Sequence, residues 1–172
     1  KTGQFINFYK NLNIDISDFN PSGLSSLKTV MPWFLKKNKI LLVHNTCTTN
    51  DEIDWALENF SNIYFCFCPK ANLFIENRLP DLKNFLKTNS KLTIGTDSLA
   101  SNDSLSILEE MQTILGRFEI KFEELLKWAT INGAELFNIN HIFGTIEPGK
   151  QPCLNLLYPF DFKKMTLMKN TK

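Results

Sequence analysis

Several features that would direct function are scarce in this chain. Nineteen basic residues stand against eighteen acidic ones, for a net charge of +1. There is thus no basic surplus of the kind that holds nucleic acid or an anionic membrane surface. The cluster Lys36-Lys37-Asn38-Lys39 reads as a solvated loop. No stretch approaches the ~18 apolar residues of a membrane-crossing helix, and no signal peptide is expected from the reading of the first residues. Among its seven glycines no G-x-G-x-x-G or G-K-[ST] loop occurs, which argues against a nucleotide-binding or receiver-like domain. The four cysteines Cys47, Cys66, Cys68 and Cys153 have no zinc-finger spacing. Cys66 and Cys68 lie inside an apolar run, where strand alternation puts both on one face. They are expected as buried free thiols in a reducing cytoplasm. Histidine is scarcest: His44 and His141 are the two present.

What is present is ordinary globular composition, 172 residues of which 43% are hydrophobic and 22% charged, enough for a domain with a real core. The stretch "GQFINFYKNL" (3–12) has helical apolar spacing, with Phe5, Phe8 and Tyr9 as packing residues. A helix over 23–37, capped by Ser22, should be kinked or ended by Pro32. Three apolar β runs follow, "KILLVH" (39–44), "NIYFCFC" (62–68) and "KLTIGTD" (91–97), the first apolar enough to be buried on both faces. Helices are predicted over 48–60, 79–89, 104–118 (capped by Asp103) and 121–139, and a last β run at "CLNLLY". Strands alternating with helices over 39–118 mean βα units and a parallel sheet.

Each predicted strand ends in polar residues: His44-Asn45-Thr46, Cys68-Pro69-Lys70-Ala71-Asn72 and Thr96-Asp97-Ser98. Singly, each has an ordinary explanation as a structural histidine, a turn residue or a helix cap. Together they lie where α/β sheets and barrels build active sites, at the C-terminal ends of strands. A carboxylate and an imidazole at such tips can share a metal or a metal-bound water.

The segments "ILLVHNTCTTNDEIDWALE", "FCPKANLFIENRLPDLKNFL", "LTIGTDSLASNDSLSILEEM", "WATINGAELFNI" and "FGTIEPGKQPCLNLL" occur in this order over 40–157. In that sequence of motifs the chain resembles the C-terminal half of the amidohydrolase superfamily, in its cytosine/guanine deaminase and chlorohydrolase-like branch. The resemblance implies an α/β fold, the C-terminal part of a (β/α)8 TIM barrel. The three runs would be barrel strands six to eight within residues 1–142. Residues 143–172 would begin the return to a small β-sandwich. It implies Asp97 as metal ligand and proton shuttle, and His44 as a contact to substrate or attacking water. In binuclear relatives the His44 position is itself a metal ligand. Asn72 would lie near the substrate mouth, while Ser98, Ser101 and Asn102 shape the loop over the site.

Two departures accompany the resemblance. After Gly149-Lys150 comes Gln151-Pro152-Cys153-Leu154 rather than a segment with an aspartate, a difference in the sandwich and not at the metal. More important, the His-x-His pair of strand one and the histidine of strand five have no counterpart here; His141, after a helix, reads as structural. The chain starts at Lys1 and is expected to be a piece of a longer enzyme, since a full barrel takes ~250 residues. The expected parent is a cytoplasmic, zinc- or iron-dependent hydrolase of small-molecule carbon–nitrogen bonds, working as a homo-oligomer without nucleic acid or membrane. The segment alone is expected to be inactive and without bound metal. The alternative is a non-catalytic amidohydrolase-like protein kept for assembly.

Overall fold

A computed structural model of the chain describes residues 3–162, 166 and 167. Two compact units divide between Leu35 and Lys36. In the first, α1 (Gln4–Asn11) carries Phe5, Phe8 and Tyr9, whose ring centroids lie 6.0 to 6.3 Å apart. The second helix, α2 (Ser26–Val30), starts later than expected, with Ser25 and not Ser22 accepting the Lys28 N–H as cap. It passes at Met31–Trp33 into a 3₁₀ turn containing Pro32, because proline cannot supply the amide that a continuing helix needs.

The second unit is built on three parallel strands, β1 (Ile40–Val43), β2 (Ile63–Phe67) and β3 (Lys91–Ile94), in the order β1-β2-β3. The register Leu42↔Phe65↔Leu92 puts Ile40, Leu42, Phe65, Phe67, Leu92 and Ile94 on one face. Helices cover that face: α3 (Asn50–Asn59) after β1, α4 (Pro69–Glu76) and α5 (Leu82–Leu86) after β2, then α6 (Ile107–Leu115), α7 (Phe122–Ala129) and α8 (Ile131–Leu136) after β3. Aromatic rings fill the gap. Phe85 meets Phe65 and Phe67 edge-on at 5.0 and 5.1 Å, and Trp128 stands 6.4 Å from Phe67. At 25 cal/mol per Å², such large buried side chains dominate core stability.

The other face carries Leu41, Val43, Tyr64, Cys66, Lys91 and Thr93. β2 is buried on both faces, as its unbroken apolar run predicts, but β1 is not. Leu41 and Val43 are 37% and 45% exposed, both on the face of β1 opposite the one that carries Ile40 and Leu42.

Several boundaries differ from the sequence reading for identifiable reasons. α4 was not expected; Pro69 at its first position starts it, and left-handed Asn77 (φ 51°) ends it. Ser106, not Asp103, caps α6 by accepting the Glu109 N–H; the side chain of Asp103 is instead paired with Lys70. The helix expected over 121–139 is broken at Thr130 (φ −134°, ψ −90°) into α7 and α8. Residues 151–158, containing "CLNLLY", form no strand. A short antiparallel pair follows, β4 (Phe160–Asp161) with β5 (Thr166–Leu167).

Candidate active site

The strand tips are where the backbone departs from ordinary geometry. The β1–β2 ladder runs one bond beyond β1, with His44 N–H donating to Cys66 O (2.9 Å). The chain then turns through His44 (φ 70°) and Asn45 (φ 58°), both left-handed. β3 does the same: Gly95 N–H donates to Phe67 O (2.9 Å), and Asp97 takes φ 58°. Non-glycine residues with positive φ are uncommon and cost of order 1 kcal/mol or more. Local bonds hold each in place. Asn45 Nδ2 donates to Leu42 O (2.8 Å), and Asn102 Nδ2 to Thr96 O (2.8 Å).

These turns bring together residues from strands that are not neighbours. β2 lies between β1 and β3, so their axes are roughly 9–10 Å apart. Yet His44 Nε2 stands 3.8 Å from Asp97 Oδ2, both side chains about one-third exposed. The pair is therefore open to a ligand while its backbone is fixed. Ser101 Oγ donates to Asp97 Oδ2 (2.6 Å). That bond, with lesser help from the Ser98 backbone and His44, holds the Asp97 carboxyl below the usual aspartate range against its own desolvation.

Below the pair, Cys66 and Cys68 share the expected face. A Cβ added to Gly95 would meet Cys66 Sγ at 3.0 Å and Cys68 Sγ at 3.4 Å, so glycine makes room for both sulfurs. All four cysteines are free thiols. The Cys66 thiol is lowered to about 7 by the hydrogen bond from Cys68, opposed by burial. The same bond, with burial, pushes Cys68 far up.

Asn72 lies in α4, 2% exposed. Its Nδ2 donates to Thr46 Oγ1 (2.5 Å) beyond β1, and its Oδ1 has no hydrogen-bond partner. Arg78 donates to Thr46 O as well. His141 sits on an exposed turn after α8. Sequence reasoning named Lys70 only as part of a strand end and missed Glu110. The Lys70 ammonium pairs with Asp103 and Glu109, while its backbone N–H donates to the buried carboxylate of Glu110 (2.9 Å). A charged residue inside an apolar helical stripe, here Glu110 beside Met111 and Ile114, was the available signal. Between α4 and the 98–106 loop lies an open cavity of about 460 Å³, lined by Lys70, Leu73, Phe74, Leu99 and Ser101 among others.

Among the described residues no three His, Cys, Asp or Glu side chains cluster tightly enough to hold a metal. One carboxylate and one imidazole, 3.8 Å apart, are nonetheless hard and borderline donors of the types that zinc and iron accept. They fit a partial ligand set.

Comparison with known proteins places this geometry in a family. Residues 25–171 match the amidohydrolase family, and the chain belongs to it. It is 30% identical over 134 residues to a 5-methylthioadenosine/S-adenosylhomocysteine deaminase of Halalkalibacterium halodurans, a match covering 73% of this chain and 30% of that protein. Among solved structures it resembles the Helicobacter pylori aminofutalosine deaminase, with a TM-score of 0.70, 26% identity, and 87% of this chain and 37% of that one covered. It also resembles an adenosine deaminase from Xanthomonas campestris with bound zinc, with a TM-score of 0.56, 28% identity, and 64% and 27% covered. These neighbours imply a TIM-barrel-type fold. The chain spans about 30% of the length of the curated relative described above.

Proposed function

We propose that this chain is the strand-six-to-strand-eight portion of the (β/α)8 barrel of a metal-dependent hydrolase. On this reading β1, β2 and β3 are those strands within residues 1–142, and residues 143–172 open the return to a small β-sandwich. The reaction is hydrolysis of a non-peptide carbon–nitrogen bond in a small molecule, deamination of a ring or opening of a cyclic amide. One observation carries the reading: Asp97 and His44 converge to 3.8 Å at the C-terminal ends of parallel strands, where barrel enzymes place their chemistry. The deaminase names of the relatives support the reaction class, and the zinc bound to one of them supports the metal.

Asp97 would hold the metal, zinc or iron, together with ligands from the rest of the protein, since a catalytic zinc usually takes three protein ligands. A metal held there would supply Lewis acidity toward water and substrate. The chain's own residues do the remainder. Asp97, kept ionised and oriented by the Ser101 hydroxyl, takes the proton of the attacking water and delivers it to the leaving nitrogen. His44 stabilises charge that develops on the attacked centre. Asn72, which the resemblance puts near the substrate mouth, is buried and acts there by bonding Thr46 in the loop beyond β1. The parent works in the cytoplasm as a homo-oligomer, and the segment alone neither binds metal well nor turns over.

The test is metal content of the full-length protein beside its Asp97→Ala variant. About one zinc per chain, with metal or hydrolysis lost in the variant, is the expected result. A metal-free parent would reject the reading and leave the assembly role as the function.

A further inference from the structure

Glu110 is wholly buried, at 0% exposure in the middle of α6, and the reaction outlined above does not use it. A buried carboxylate is costly unless its oxygens are well bonded. An apolar residue would pack there at less cost. What the carboxylate does, and an apolar side chain cannot, is join two pieces of backbone. Its Oε2 accepts the Lys70 N–H (2.9 Å) in the first turn of α4, just past the tip of β2. Its Oε1 accepts from Asn102 Nδ2 (2.6 Å) in the loop after β3. Asn102 is itself 8% exposed, and the same Nδ2 donates to Thr96 O (2.8 Å). Thr96 precedes Asp97. The contacts therefore run without a gap from the β2 tip through Glu110 and Asn102 to the peptide that carries Asp97. On the surface the Lys70 ammonium repeats the link by pairing with Asp103 and Glu109. Burial raises the Glu110 carboxyl, and the two N–H donors work against that rise.

We propose that Glu110 is a positioning residue which, through Asn102, fixes the left-handed Thr96–Asp97 turn relative to the β2 tip, so that Asp97 meets the metal in one orientation. This rests on Asp97 being a metal ligand. Outer partners of metal ligands change affinity or activity by about 10- to 100-fold when removed.

The experiment uses the full-length protein and its Glu110→Gln variant. Glutamine has nearly the same volume but presents an NH₂ to one of the two donors, so one link breaks and the core stays filled. Zinc affinity is expected to fall about tenfold or more, with kcat reduced and KM within about twofold. Exchange of the Lys70 or Asn102 amide hydrogens should quicken, and thermal stability should fall somewhat because one buried donor loses its acceptor. A second variant, Asn102→Asp in the Glu110→Gln background, separates positioning from mere burial. It restores a bond between positions 102 and 110 but leaves Thr96 O without its donor. Zinc affinity should stay low in that double variant. Recovery of full affinity there, or unchanged affinity in Glu110→Gln, overturns the proposal. If Glu110→Gln does not fold, Asn102→Ala tests the same link, with the same loss of zinc affinity expected. If the unmodified protein takes up no zinc, the Asp97 reading has failed. Amide exchange at Lys70 and Asn102 then judges the clamp by itself, and exchange unchanged at both overturns it.

Discussion

Gly95→Ala offers a sharp test of how the site floor is packed. Gly95 lies in the last ladder bond of β3, donating to Phe67 O, two residues before Asp97. Its added Cβ would stand 3.0 Å from Cys66 Sγ and 3.4 Å from Cys68 Sγ. The 3.0 Å contact is tighter than ordinary packing, so Cys66 must give way by a few tenths of an ångström in an interior packed at crystal density. Overpacking of this kind costs about 1–3 kcal/mol. Gly95 does not have positive φ, so alanine recovers about 0.4–1 kcal/mol by restricting the unfolded chain. The net expectation is a loss of about 1–2 kcal/mol. In a Cys66→Ala background the 3.0 Å contact no longer exists, and the new methyl fills space that the sulfur left. There Gly95→Ala should be neutral or slightly stabilising. The two substitutions should then couple by at least about 1 kcal/mol, well beyond the 0.3–0.5 kcal/mol scatter of independent sites. Equilibrium urea unfolding of the unmodified protein, both single variants and the double variant measures this coupling. Additive effects would show that the two sulfurs do not crowd Gly95, and the arrangement beneath Asp97 described above would be wrong.

Other expectations follow from single contacts. Trp128→Ala removes a side chain 2% exposed that packs near Phe67 and donates to Glu124 Oε1 (3.0 Å). It should cost about 3–5 kcal/mol by the same unfolding assay. Ser101→Ala removes the main cause of the lowered Asp97 pKa, so the carboxyl should titrate higher in an NMR pH series on metal-free protein. The sign for stability follows from linkage. A depressed folded pKa contributes stability above the unfolded value near ~4 and loses it as pH falls through the folded value. The unmodified protein should therefore lose slightly more stability than Ser101→Ala between about pH 5 and 2, by a small amount because Asp97 is partly exposed.

The sheet was legible because its signal is strong. Runs such as "IYFCF" have no polar residue to allow a helix with one wet face, and their spacing fits strands separated by helices. Helix ends were less legible. Asp103 looked like a cap, but Lys70, thirty-three residues earlier in the chain, holds its carboxylate, and no local pattern contains that pairing. The break at Thr130 and the loss of the "CLNLLY" strand are of the same kind, decided by neighbours in space. For the site, strand-end position singled out His44, Asn72 and Asp97. It could not show that His44 and Asp97 meet across an intervening strand, because that contact depends on two left-handed turns.

Those turns connect the fold to the chemistry. A chain selected for stability alone would put Gly or Asn where φ is positive, as it does at Asn77 and Gly144. His44 and Asp97 take the same conformation, which histidine and aspartate adopt more readily than most residues though less readily than glycine. Each strained turn is fixed by hydrogen bonds from residues with little other reason for their identity: Asn45 to Leu42 O, Asn102 to Thr96 O, Ser101 to Asp97. Strain at two tips, restrained on each side and converging on one point, is the pattern expected where a function and not packing sets the residue. Had only one tip been strained, a turn would suffice as the explanation. Two such tips from non-adjacent strands, with an imidazole and a carboxylate 3.8 Å apart, are the geometry on which the proposed joint role of the two side chains rests.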